Sequence, residues 1–135
     1  MTWQDVYSHI ARNYKFEDLS ENKNGTMLKM VWNLDGGRSQ VVFINRDVSQ
    51  SDVEWVSFYS PVGQIPPVLL PKALFIAGDG NLSGGLVTLT LNDCVFVKNA
   101  FPLEIATTEV VDSFFRFTMN LADRIENEVL GQDVK

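Results

Sequence analysis

Histidine, cysteine and clustered carboxylates carry much of the chemistry that proteins perform, and this chain has the first two once each, as His9 and Cys94. A single imidazole builds no metal site without thiolates or carboxylates beside it, and none cluster with His9 in sequence. His9 falls on the polar side of a predicted first helix and is expected at the surface. Cys94 stands among apolar residues of a predicted strand, where a thiol ordinarily acts as a small buried hydrophobe. A nucleophile role would require His9 to meet it in space. The carboxylates of "DRIENE" (Asp123, Glu126 and Glu128) read as the solvated face of a terminal helix, partly paired with Arg124.

The glycines of "AGDGNLSGG" (Gly78, Gly80, Gly84 and Gly85) suggest a phosphate loop. Such loops follow a strand and open a helix, so that amides and helix dipole converge on the phosphate. Here the loop follows a short helix and opens a strand, with Leu86 where a Walker lysine belongs. Asp79-x-Asn81-x-Ser83-Gly84 begins like a calcium loop, but the position that needs a bidentate Glu is Thr90, inside a predicted strand. No metal, nucleotide or other cofactor is expected, and the residues predict a non-enzymatic protein.

The elements that would position these side chains fit one domain. With 135 residues, 45% of them hydrophobic and 21% charged, the chain can bury a sizeable core. A net charge of -6 and eleven scattered Lys and Arg residues argue against a nucleic-acid partner. The first residues lack the basic start and apolar block of a signal peptide, and no apolar run approaches the ~20 residues of a membrane span. The lone cysteine forms no internal disulfide. The expectation is a cytoplasmic protein without a membrane partner.

Thr2 can cap a first helix in which Trp3, Val6, Tyr7 and Ile10 recur at helical spacing. "YKFEDLSENKNGT" reads as a connection with one short extended piece. "MLKMVWNL" places Leu28, Met30, Trp32 and Leu34 on one face of a strand, and "DGGR" signals a hairpin turn. "SQVVFIN" and "VEWVSFYS" are β-branched and aromatic, as strands prefer. Prolines from Pro61 to Pro71 forbid a continuous strand or helix there, and Pro71 opens a short helix, "PKALFIAG". "GLVTLTLNDCVFVKN" reads as a second hairpin turning at Asn92-Asp93. The last helix starts at Thr107 and carries Val110, Phe114, Thr118, Leu121, Ile125 and Val129 as a stripe, widened by Phe115, Phe117 and Ala122.

These segments predict an α+β fold of order α-β-β-β-α-β-β-α, with hairpin-connected strands in an antiparallel sheet of about five strands and a long C-terminal helix packed on it. Trp32, Phe114, Leu121 and Ile125 are its candidate core. In "SQVVFIN", Val41 and Phe43 point one way while Val42 and Ile44 point the other. One sheet face is expected under the first and last helices. The other meets a second layer, a dimer partner or a client, or is simply central-strand core.

The segments "FYSPVGQIP", "LPKALFIAGDGNLSGGLVTL" and "LADRIENEVLGQD", in this order of elements, resemble the type III secretion chaperones (the Tir-chaperone-like fold) and the related YbjN-like bacterial proteins. The resemblance runs from Trp3 to Asp133, and the chain departs from the secretion members in its proline-rich "IPPVLLP". It implies a chaperone-like homodimer holding an extended segment of a client protein. Its dimer or partner surface would include Trp55, Phe58, Tyr59 and Leu74. The competing expectation is a ligand-sensing or regulatory module with a pocket between sheet and last helix, lined by Trp32, Trp55 and Phe114.

Overall fold

Thr2 opens α1 (Trp3–Asn13) through a capping box, in which its hydroxyl accepts the Asp5 amide while the Asp5 carboxylate accepts the Thr2 amide at 2.8 Å. The computed structural model describes residues 1–21, 24–79, 85–88 and 94–131. Along the chain come β1 (Glu17–Asp18), β2 (Met27–Asn33), β3 (Ser39–Val48), β4 (Glu54–Gln64), α2 (Leu70–Gly78), β5 (Gly85–Thr88), β6 (Cys94–Pro102) and α3 (Thr108–Ile125). A π-helical turn, Glu126–Leu130, extends α3. The Thr107 hydroxyl accepts the Val110 amide, so Thr107 caps α3 and the helix proper begins one residue later than the sequence predicts. Pro71 sits in the first turn of α2, where its missing N–H costs no hydrogen bond.

The strands form one antiparallel sheet in the order β1-β2-β3-β4-β6-β5. The predicted α+β class and antiparallel sheet are what forms, with six strands where about five are expected. The extra strand is the two-residue β1, too short to show a period. Two details differ from the sequence reading. β4 and β5 are not neighbours, because the nine-residue β6 lies between them and the four-residue β5 takes the edge. The turn expected at Asn92-Asp93 lies outside the described residues.

The second difference is that β4 runs through Pro61 to Gln64. Side chains there replace the ladder that proline interrupts. The Gln40 amide donates to the Pro61 carbonyl at 2.7 Å and to the Ser60 hydroxyl at 2.9 Å, and that hydroxyl donates to the Val41 carbonyl. A register shift between Pro61 and Gly63 absorbs the irregularity, with Gly63 at a φ of 115° that favours glycine.

Three helices among the described residues pack on one face of the sheet. One cluster joins Val6 and Ile10 of α1 and Phe115 and Met119 of α3 to Leu28, Met30, Val42, Ile44, Val56, Phe58 and Phe101. The other joins Ala73, Ile76 and Ala77 of α2 and Leu121, Ala122 and Ile125 of α3 to Val62 and Val97. The strand residues involved alternate with residues that belong to neither cluster, as a pleated strand requires. Leu121 and Ile125 are buried as predicted, and Phe114 is half-buried against the rings of Phe58 and Phe101. Trp32 is on the predicted face and its ring meets Tyr14 and Phe115, but it is 42% exposed because it lies near the end of β2 at the margin of the helical layer. Phe117 is a correction to the predicted stripe, since it points away from the sheet into solvent.

Candidate functional site

The strand residues left out of both clusters build the opposite face of the sheet. Register places one row across all six strands: Glu17, Lys29, Phe43, Tyr59, Lys98 and Gly85. Beside it lie Val31 and Val41, which pair with each other, and Phe96 with Val87. On the other side come Met27, Asn45, Ser57 and Ala100, and beyond them Asp47 and Trp55. Among the described residues no helix covers this surface, and Val31 is 52% exposed on it. Tyr59 is only 9% exposed, and the Lys98 ammonium sits 5.5 Å from its ring centroid. Neither Lys29 nor Lys98 is in an ion pair among the described residues. The outcome is an apolar, aromatic platform with unpaired cations in a protein of net charge -6.

A second apolar surface is the outer side of α2. Ala73, Ile76 and Ala77 face the core, yet Leu74 is 53% and Phe75 71% exposed, and Val68 just before the helix is also exposed. Lys72 is the one charged residue within α2, and its ammonium donates to the Glu128 carbonyl at 3.0 Å. A helix apolar on both sides is normally covered on both sides.

The third arrangement is polar. His9 Nε2 lies 2.8 Å from Asp112 Oδ1, which also accepts the Tyr14 hydroxyl at 2.6 Å. The Asn13 amide nitrogen donates to the His9 carbonyl at 2.8 Å, so that amide can present only a donor to His9 Nδ1, 3.2 Å away. Nδ1 therefore accepts and Nε2 carries the proton given to Asp112. Burial first, and then the hydrogen bond to Asp112, push the Tyr14 hydroxyl up to about 12. With two donors on one oxygen, Asp112 is committed to latching α1 and the segment after it onto α3. His9 is thus half-buried in a latch and not a surface residue, which corrects the sequence expectation.

Strand parity decides the remaining predicted residues. Trp55 and Tyr59 lie on the open face and Leu74 on the outer side of α2, so the structure splits the expected partner surface between two sites. Phe58 is a correction: it points under α3, is fully buried, and contacts Phe101 and Phe114. Trp55 is likewise across the sheet from Phe114, so Trp32, Trp55 and Phe114 do not line a common pocket. Cys94 shares the parity of Phe96 and Lys98, opposite the layer that holds His9, and the two do not meet.

Among the described residues no three His, Cys, Asp or Glu side chains gather closely enough to hold a metal ion. Most of the calcium-like and glycine-rich loop (residues 80–84, with Thr90) lies outside the described residues, and Asp79 itself pairs with Arg124 at 3.3 Å. The Asp112 latch and the lysines of the open face were missed by sequence reading, and only the lysines had a signal, their alternation with apolar strand residues. Among the described residues no helix is long and apolar enough to cross a membrane. No protein-family model matches this chain, and no curated protein sequence matches it.

Proposed function

We propose that this chain is a non-enzymatic, chaperone-like protein-binding module, of the kind its resemblance to secretion chaperones and YbjN-like proteins implies. It holds a segment of a partner protein on the open face of its sheet. The observation that carries the reading is that face: Val31, Val41, Phe43, Trp55 and Phe96 lie together on a surface no described helix covers. Monomeric proteins seldom leave so continuous an apolar surface without a partner. Homodimerisation belongs to the same proposal and uses the outer side of α2. That patch is apolar and its one charged side chain is occupied, so two copies of an acidic chain can meet there with little like-charge repulsion. A cytoplasmic site of action is part of the proposal and is supported by a single cysteine with no partner for an internal disulfide.

Sedimentation equilibrium on the wild type and on Phe75→Glu tests the assembly. The expected result is a dimer for the wild type and a folded monomer for the variant. A wild type that stays monomeric at every concentration removes the homodimer from the proposal. Cross-saturation NMR with a captured partner tests the face, and signals confined to residues off the open face would sink the reading.

A further inference from the structure

The open face has a charge pattern that specifies its occupant. Lys29 and Lys98 stand at either end of the row Lys29–Phe43–Tyr59–Lys98, and neither has a carboxylate partner among the described residues. Glu17 stands directly across from Lys29 on the edge strand without forming an ion pair with it, and Asp47 lies beside Trp55, away from both lysines. Because β2, β3, β4 and β6 are consecutive neighbours, the lysine backbones are separated by three strand spacings, about 14 Å. An extended chain crossing the strands advances about 13 Å in four residues, and its side chains at i, i+2 and i+4 point the same way.

We infer that this face takes an extended acidic segment of a partner protein, with carboxylates four residues apart over Lys29 and Lys98 and an apolar side chain between them over Phe43. The inference rests on the reading of the open face as a protein-binding surface and deepens it by naming the chemistry of the segment. Apolar contact with Val41 and Phe96 alongside the row supplies burial, while the lysines fix register and direction. A single-stranded nucleic acid fits the same surface less well. Base stacking needs open ring faces, and Tyr59 is only 9% exposed with the Lys98 ammonium over its ring.

The test uses the full chain and three labelled peptides of alternating residues. One has Glu at i and i+4 around a central Trp, the second has Lys at those positions, and the third has Gln. Binding is read by fluorescence polarisation, and its place by backbone amide shifts at Phe43, Tyr59 and Lys98. The Glu peptide is expected to bind at least about tenfold more tightly than the Lys peptide, since each exposed charge pair is worth up to about fivefold. Lys29→Glu with Lys98→Glu should reverse that preference, a gain of binding that a misfolded variant cannot show. Equal binding of the Glu and Gln peptides, with shifts on the face, overturns the acidic pattern and leaves the protein-binding reading standing. No shifts on the face with any peptide overturns both. Tighter binding of a thymidine oligonucleotide than of the Glu peptide, with shifts at the same amides, also overturns the inference.

Discussion

The Asn99 side-chain amide donates to the Thr118 hydroxyl at 2.9 Å, and that hydroxyl donates in turn to the Phe114 carbonyl at 2.7 Å. Both residues are buried, so this chain of hydrogen bonds fixes the height of α3 over β6 inside an otherwise apolar layer. Thr118→Val keeps the shape and leaves the Asn99 amide without its acceptor. It should cost about 1–3 kcal/mol in urea unfolding, the range for an orphaned buried polar group. A loss below a few tenths would mean that Asn99 finds another partner.

Leu121 and Phe75 separate the two apolar surfaces of the helical layer. Leu121 is buried against α2 and the sheet, and Leu121→Ala should cost about 2–5 kcal/mol through lost burial and a cavity. Phe75 is mostly exposed, so Phe75→Glu should dissociate the proposed dimer while moving the stability of the monomer itself by no more than about 0.5 kcal/mol. Melting curves beside sedimentation equilibrium make the comparison. If Leu121→Ala dissolves a dimer and keeps its stability, the roles of the two surfaces are reversed.

Phe58→Asp, which a surface placement of Phe58 would make a clean interface variant, should instead unfold the protein. It puts a carboxylate between Phe101 and Phe114 with no partner for it. Circular dichroism at neutral pH is the check, and a native spectrum would contradict the burial described above.

Gly25 is held at a φ of 77°, and a Cβ added there would stand 2.8 Å from the Tyr7 ring. Its carbonyl accepts the Trp3 indole N–H at 2.9 Å and its amide donates to the Asp18 carboxylate, so the backbone has little room to move. Gly25→Ala combines left-handed strain with a clash and should cost about 1–3 kcal/mol by thermal unfolding. Asp18 also accepts the Ser20 hydroxyl, which buttresses the same turn.

Tyr14 sets an alkaline limit. Its hydroxyl is raised from 10.0 to about 12 by burial and by its bond to Asp112. Above the lower value the unfolded chain gives up the phenolic proton while the folded chain keeps it, so unfolding becomes progressively favoured. Stability from this group is complete below pH 10 and is lost between pH 10 and about 12. Denaturant titrations across that window should show a decline that Tyr14→Phe flattens. An unchanged slope in the variant would assign the decline to other groups.

What this sequence determines alone is what repeats within a few residues. Thr2 and Thr107 cap helices because their hydroxyls reach the third amide beyond them, and the stripe from Leu121 to Ile125 follows from helical spacing. Alternation marks β2 as a strand and β-branched and aromatic composition marks β3 and β6, and from these the antiparallel α+β class can be read. The face that the helices cover is another matter. In "SQVVFIN" both sets of alternating residues are apolar, so composition identifies the strand and leaves its inner side open. Pairing across strands puts Val42 and Ile44 under the helices and leaves Val41 and Phe43 on the other side, and the same choice in β4 puts Phe58 in the helix-covered core and Trp55 on the side no described helix covers. Tertiary structure also decides the place of β6 between β4 and β5 and the His9–Asp112 contact, between residues 103 positions apart. These depend on which surfaces bury the most apolar area and satisfy the most polar atoms together, a property of the assembled layers that no short stretch of chain encodes.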